Sequence, residues 1–349
     1  MNIEIGKRIK ALRLQKGMTQ EALAARLNMS SQAVSKWENN VTLPDIQVLP
    51  ELSVLLGVTI DELFALTDDT HLERIANMIS NELFISADDF SYAENFLKGK
   101  LSDGNEASKA HCLTLLARLH IHRSEEHRKL ASHYAKEALI LDPTCKNSHN
   151  ALRDAENGVI FDWNYSNHHK LIEYYTSFVE QHPGYWRAYV WLLNYLLADG
   201  RCTEARGILE SLKFIRPGYL YPLYNGLICK EEGAMTEALV LWEQMTDQYP
   251  DDWMAWSARG DCMAKVSRYD EAIEYYARGH ELQSSPRYTD SLEAISHIYR
   301  IQGKYRDSIR KMQEIIALLE LDWSTTEGKT VDYYYGEIER LQGLMDEPA

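Results

Sequence analysis

This chain has little of what would brace an extracellular protein or anchor a membrane-bound one. Its 349 residues include 5 cysteines (Cys112, Cys145, Cys202, Cys229 and Cys262), odd in number, scattered and without paired C-x-x-C spacing. That argues against a disulfide framework or a zinc knuckle and for free thiols in a reducing compartment. No apolar run approaches the roughly 20 residues that a bilayer-spanning helix needs. The opening Met-Asn-Ile-Glu-Ile-Gly-Lys-Arg also lacks the apolar core of a secretory signal. The expectation is a soluble, cytoplasmic protein with no membrane partner. Catalytic signatures are missing as well: there is no His-Glu-x-x-His, phosphate-binding loop or nucleophile elbow. His120, His122 and His127 cluster, and His168 adjoins His169. Side chains at i and i+2 on a helix diverge by about 200°, so His120 and His122 do not converge on one ion. Neither an enzyme, a metal site nor a cofactor is expected.

Positive charge is scarce, and its distribution is informative. The formal net charge is -15. Residues 1–40 carry seven Lys or Arg against three Glu, and residues 1–66 carry seven of each sign, so the rest of the chain holds the whole acidic excess. A basic tip on an acidic body favours oriented docking to a polyanion and discourages non-specific coating. With 45% hydrophobic residues, the chain is long enough for two or more domains with their own cores.

Residues 18–40 predict two short helices joined by a tight turn. Thr19 is a candidate N-cap, followed by an apolar stripe of Ala22, Leu23 and Leu27. Asn28 can take the left-handed backbone of the turn, and Ser30 offers a second N-cap. Gln32, Ser35 and Lys36 then share a face at i, i+3 and i+4, while Val34 and Trp37 point the other way. A helix apolar behind and rich in donors in front suits direct readout of a DNA major groove.

This stretch resembles the helix-turn-helix of the phage repressor and Cro (Xre-like) family over roughly residues 3–66. Ile5–Arg13 matches its basic first helix, Leu43-Pro44-Asp45 opens a fourth helix running to Leu55, and Gly57–Phe64 ends that helix and starts a fifth. The resemblance implies that Gln20 grips a phosphate, that Ser31, Gln32, Ser35 and Lys36 face bases or flanking phosphates, and that Arg13 and Glu38 form an internal ion pair. Asn40 stands where that family normally has Gly, and Asn tolerates left-handed geometry. The candidate DNA-binding set is thus Thr19, Gln20, Ser30, Ser31, Gln32, Ser35, Lys36 and Asn40.

Beyond residue 66 the chain repeats. Ala205, Ala238, Ala272 and Ser308 close equivalent turns 33, 34 and 36 residues apart, and Pro183, Pro217, Pro250 and Pro286 keep the beat at 34, 33 and 36. A period near 34, with a small residue opening a second helix and Pro closing the unit, resembles the tetratricopeptide repeat. Small side chains let paired helices approach, and Pro marks the handover to the next pair. Ala131, Ala135 and Ala138 leading into Pro143 suggest a degenerate upstream copy, with an inserted loop from Gly158 to Tyr165. The expected fold is all-α: a five-helix repressor-like head (1–66), linker, dimer-contact or first-repeat helices around 71–84 and 88–98 (67–105), a superhelix of helical hairpins (106–330) and a capping helix and tail (331–349).

Counting back eleven and eight residues from each small residue places Asn194, Lys230, Asp261, His297 and Arg300 on the inner wall of that array, with Lys265 adjacent to the last wall position of its repeat, Ala264. Such groups can hydrogen-bond an extended peptide, although an ordinary solvated surface accounts for each of them equally. Tyr189, Trp242, Trp256 and Tyr276 fall where large residues pack between helices. Of Tyr333, Tyr334 and Tyr335 in the capping helix, not all can be buried. The combination of head and array resembles the peptide-pheromone receptors of Gram-positive bacteria. The resemblance implies a homodimeric transcriptional regulator bound to double-stranded DNA, with a peptide or other ligand in the groove. An adaptor whose array grips a partner protein is the alternative.

Overall fold

A computed structural model describes residues 5–63, 68–102, 105–158, 160 and 162–346, and all regular structure among them is helical. Phe64, the boundary at 66/67, part of the Gly158–Tyr165 insert and the last three residues lie outside the described residues. The chain divides into two compact units, Met1–His127 and Arg128–Ala349.

The head comprises α1 (Ile5–Gln15), α2 (Gln20–Arg26), α3 (Ser31–Glu38), α4 (Leu49–Leu56) and α5 (Ile60–Leu63). Thr19 and Ser30 cap α2 and α3 as the sequence predicts, accepting from the Ala22 and Ala33 amides at 3.1 and 3.3 Å. Asn28 and Asn40 have φ of 52° and 54°. Two details differ. The stripe on α2 is Leu23, Ala24 and Leu27, whereas Ala22, whose amide donates to the Thr19 cap, is exposed. The segment after Pro44 opens as a 3-10 turn, Ile46–Val48, capped by Asp45, and α4 itself starts at Leu49 with Pro50 in its first turn and runs to Leu56. Ile5, Ile9, Leu23, Val34, Trp37, Leu52 and Leu63 meet in one core.

Residues 67–105, whose role the sequence leaves open, form α6 (Asp68–Asn81) and α7 (Ala87–Lys100). Ile75, Ile85, Ala93 and Leu97 pack with Cys112, Leu115 and Leu119 of α8 (Glu106–Leu141) into a separate core. The 36 residues of α8 are continuous, so the stretch through Ala131 and Ala138 is one long helix rather than a hairpin of the repeat. With no Gly or Pro inside it, nothing there breaks the helix.

After α9 (Lys146–Ala155), α10 (Trp163–Ser166) and α11 (His169–Gln181), the hairpins follow in strict alternation. They are α12 (Trp186–Ala198) with α13 (Cys202–Ile215), α14 (Leu220–Glu231) with α15 (Met235–Gln248), α16 (Trp253–Lys265) with α17 (Tyr269–Glu281), and α18 (Asp290–Ile301) with α19 (Tyr305–Trp323). The beat has a packing cause: Ala205, Ala238, Ala272 and Ser308 are all fully buried. The α14–α15 and α16–α17 hairpins are closed by a size match between their helices, whereas α12–α13 sets Leu193 and Leu209 at the same register. A Cβ on Gly226 would lie 2.3 Å from Trp242 Nε1, and one on Gly260 would lie 2.7 Å from the Tyr276 ring. In the last hairpin the equivalent positions are Ser296 and Met312, and the Ser296 hydroxyl meets that of Ser308 at 2.9 Å, so both buried hydroxyls are satisfied. Tyr189 and Trp256 donate to the carbonyls of Pro183 and Pro250 at 3.1 and 2.8 Å, which ties each first helix to the proline that precedes it. The cap α20 (Lys329–Asp346) buries Val331, Tyr334, Ile338 and Leu341. Tyr333 and Tyr335 remain half exposed.

Candidate nucleic-acid interface and repeat groove

The reading face depends on how rigidly α3 is held from behind. Val34 is 0% and Trp37 4% exposed. Behind them Arg13 Nε and Nη2 donate to Glu38 Oε1 and Oε2 at 2.6 and 2.9 Å, a bidentate pair buried on both sides, and Arg13 Nη1 donates to the Met18 carbonyl at 2.7 Å. Burial pushes the Glu38 carboxyl up, but the hydrogen bonds from Arg13 and Gln20 outweigh it, and the net shift is downward. The Glu38 bond raises the Arg13 guanidinium further against the cost of burial. Two charges inside so small a core are tolerable only because geometry and hydrogen bonding are complete.

Gln20 Nε2 donates to Glu38 Oε2 at 2.8 Å. The side chain expected to grip a phosphate is therefore oriented by the same buried carboxylate that anchors the end of α3. The hydroxyls of Thr19 and Ser30 are engaged in capping, and Asn40 Oδ1 accepts from the Gly6 amide at 3.1 Å. Gly6 is required by close approach, since a Cβ there would sit 1.8 Å from the Trp37 carbonyl oxygen. Asn40 thus fastens α1 to the end of α3, a structural duty that the sequence reading missed. Gln32 and Lys36 stand exposed beside half-buried Ser31 and Ser35, and no partner holds either side chain among the described residues. The exposed cations Lys7, Arg8, Lys10 and Arg26 belong to the same head. This arrangement, with donors on one face and a locked apolar back, can enter a groove without reorganising.

The six residues predicted for the groove behave differently from one another. Asp261 lines an open hollow of about 430 Å³ between α16 and α18. His297 and Arg300 line an adjoining hollow of about 470 Å³. Asn194 Oδ1 accepts from the Tyr224 hydroxyl at 2.8 Å, and Asp261 Oδ1 from the Tyr276 hydroxyl at 2.5 Å. Burial pushes both phenols up, so they remain proton donors. Lys230 pairs with Glu231 at 2.6 Å, and Lys265 is exposed. Arg300 is held by Glu337 at 2.8 Å and meets His297 at 2.9 Å. The histidines of α8 go separate ways: His122 to the Glu82 carbonyl and Glu126, His120 to Glu94 and the edge of Phe90. Among the described residues no helix is long and apolar enough to cross a membrane.

Fold and site together define a DNA-reading head joined to an array of helical hairpins. Residues 9–63 match the family described as Helix-turn-helix, and residues 233–286 the family described as Tetratricopeptide repeat. The HTH-type transcriptional activator BcrR of Enterococcus faecalis is 40% identical over 63 residues, 18% of this chain and 31% of that protein. The chain therefore spans under a third of that relative's length. The HTH-type transcriptional regulator y4dJ of Sinorhizobium fredii is 39% identical over 66 residues, 19% of this chain and 86% of that protein. A tetratricopeptide repeat protein from Parabacteroides merdae aligns over 79% of this chain and 98% of its own, with 12% identity and a TM-score of 0.38. The chain belongs to the helix-turn-helix transcriptional regulators, with a tetratricopeptide region in its second half.

Proposed function

We propose that this chain is a cytoplasmic, non-enzymatic regulator that binds specific duplex DNA through α3 as a homodimer, while its repeat array senses a peptide or other small ligand. The observation that carries the first part is the exposed Gln32 and Lys36 face of α3, backed by the buried Val34 and Trp37 and the Arg13–Glu38 pair. Gln32 meets bases, Lys36 meets bases or phosphate, and Gln20 is pre-oriented toward the backbone by Glu38. One head presents little contact area, and two of them on half-sites about 34 Å apart supply usable affinity. The hollows lined by Asp261, His297 and Arg300 support the sensing role. A ligand that binds the DNA-competent and DNA-incompetent arrangements unequally shifts operator occupancy, and one that binds them equally does nothing.

The test is selection of the full chain against a randomised duplex pool at low ionic strength, paired with light scattering. A two-fold symmetric consensus bound by a dimer is the expected result. No sequence preference at any salt concentration would refute the DNA assignment, and a monomer on an asymmetric site would refute the dimer.

A further inference from the structure

We propose that the hollow between α16 and α18 receives an organic cation, an ammonium or guanidinium on a short peptide that also carries an apolar side chain. The inference rests on the sensing role proposed above and names the ligand chemistry of that site. Its walls are aromatic: Trp253 and Tyr288 lie with ring centroids 5.9 Å apart at 26°, and the buried ring of Tyr276 closes the back. Their electron-rich faces attract a cation, and they give its aliphatic stem apolar cover. Two carboxylates, Asp261 and Asp290, share this lining with no Lys or Arg among it. Asp261 spends one oxygen on the Tyr276 hydroxyl, and Asp290 is exposed at the start of α18.

The cations on the neighbouring elements are committed elsewhere or lie outside this lining. Arg287 is held by Asp322, Arg300 by Glu337, and Arg259 lies over the Tyr275 ring while donating to Thr246. Lys265 is on the last turn of α16 and Lys230 is on α14 beside Glu231. The lining itself is thus acidic, with Lys265 one turn along α16 from Asp261, and charge complementarity favours a positive guest.

The adjoining hollow decides between a peptide and a free polyamine. It shares Tyr276, Asp290 and Ala294 with the first and presents His297 and Arg300 further along α18. That lining also holds Glu293, and its cation is Arg300, which donates to His297 Nδ1; a peptide can lay a carbonyl or a terminal carboxylate against the guanidinium, and a polyamine carries no such acceptor.

The experiment exposes the full-length chain to a synthetic hexapeptide pool with free carboxyl termini and sequences the retained peptides. Retained peptides are expected to carry Lys or Arg beside an aromatic or branched aliphatic residue. Asp261→Asn combined with Asp290→Asn should weaken the best of them at least tenfold with the melting profile unchanged, since the side-chain amide carbonyl introduced by Asp261→Asn would still accept from Tyr276. Spermidine should compete only weakly. Recovery of neutral or acidic peptides, recovery of none, or indifference to the double substitution overturns the proposal, and competition by spermidine equal to the best peptide overturns the peptide source. Neutral or acidic peptides that alter DNA affinity would leave the sensing role standing while removing this one.

Discussion

Replacing Glu38 by Gln would remove one charge from the centre of the head while leaving its shape almost unchanged. In the native head both carboxylate oxygens are used, Oε1 by Arg13 Nε and Oε2 by Arg13 Nη2 and Gln20 Nε2. An amide can supply only one acceptor oxygen, so in either orientation its NH2 group would face an Arg13 N–H, and in one of them Gln20 Nε2 as well, donor against donor. The Arg13 guanidinium, 6% exposed, would stay charged in a site without a counter-ion. Breaking such a pair costs about 3–5 kcal/mol. A head of about sixty residues has a total stability of only about 3–9 kcal/mol, so the substitution consumes much of it. At about 4–8 °C per kcal/mol for a domain of this size, its melting point should fall by about 12 °C or more. Hydrogen exchange on the full-length chain, followed on peptides from residues 5–63, reads the head without interference from the array. DNA binding should be lost in parallel although no proposed DNA contact is touched. The pH dependence has a definite sign. The native Glu38 carboxyl lies below its unfolded value, so its contribution is complete above the ordinary carboxylate range of about 4.3 and disappears as pH falls through the lowered native value. Glu38→Gln should flatten that acid limb. The double variant Arg13→Met with Glu38→Leu removes both charges and should be more stable than either single change. A Glu38→Gln head that melts within about 3 °C of the parent would refute the reasoning.

Gln32→Ala should relax base preference, costing about 1–3 kcal/mol at the selected site in a competition assay. Lys36→Ala should lower affinity and reduce the slope of log K against log salt by up to about one if it meets phosphate. Asn40→Ala places a Cβ-bearing residue without a local acceptor at φ 54° and leaves the Gly6 amide unpaired, so the head should lose about 2–4 kcal/mol in denaturant titration. Asn40→Gly should recover the backbone share only. Gly226→Ala improves helix propensity by about 1 kcal/mol but forces a methyl group against Trp242, which is 0% exposed and donates to the Leu223 carbonyl. Overpacking at about 1–3 kcal/mol outweighs the gain, so calorimetry of the array should show a lower melting point, and an unchanged or raised one would count against the size match.

The division between what was legible and what was not follows the range of the forces involved. Caps, turns and helix faces are local, and Thr19, Asn28, Ser30 and the Gln32–Lys36 face could be read because each rule links residues within a turn or two. The array was equally visible, because a small residue every 33 to 36 positions is a packing rule repeated along the chain. The upstream copy misled for the same reason: alanines at helical spacing are also what a single uninterrupted α8 requires. Other features depended on residues distant in sequence meeting in space. Nothing local shows that Gln20 leans on Glu38, that Asn40 fastens Gly6 or that Ser308 has Ser296 as its partner, since those contacts span 18, 34 and 12 residues. Sequence alone determined which surfaces the helices present. The tertiary structure decided which polar groups those surfaces keep for each other and which remain for a ligand, because a buried hydrogen bond is settled only once both partners have been placed.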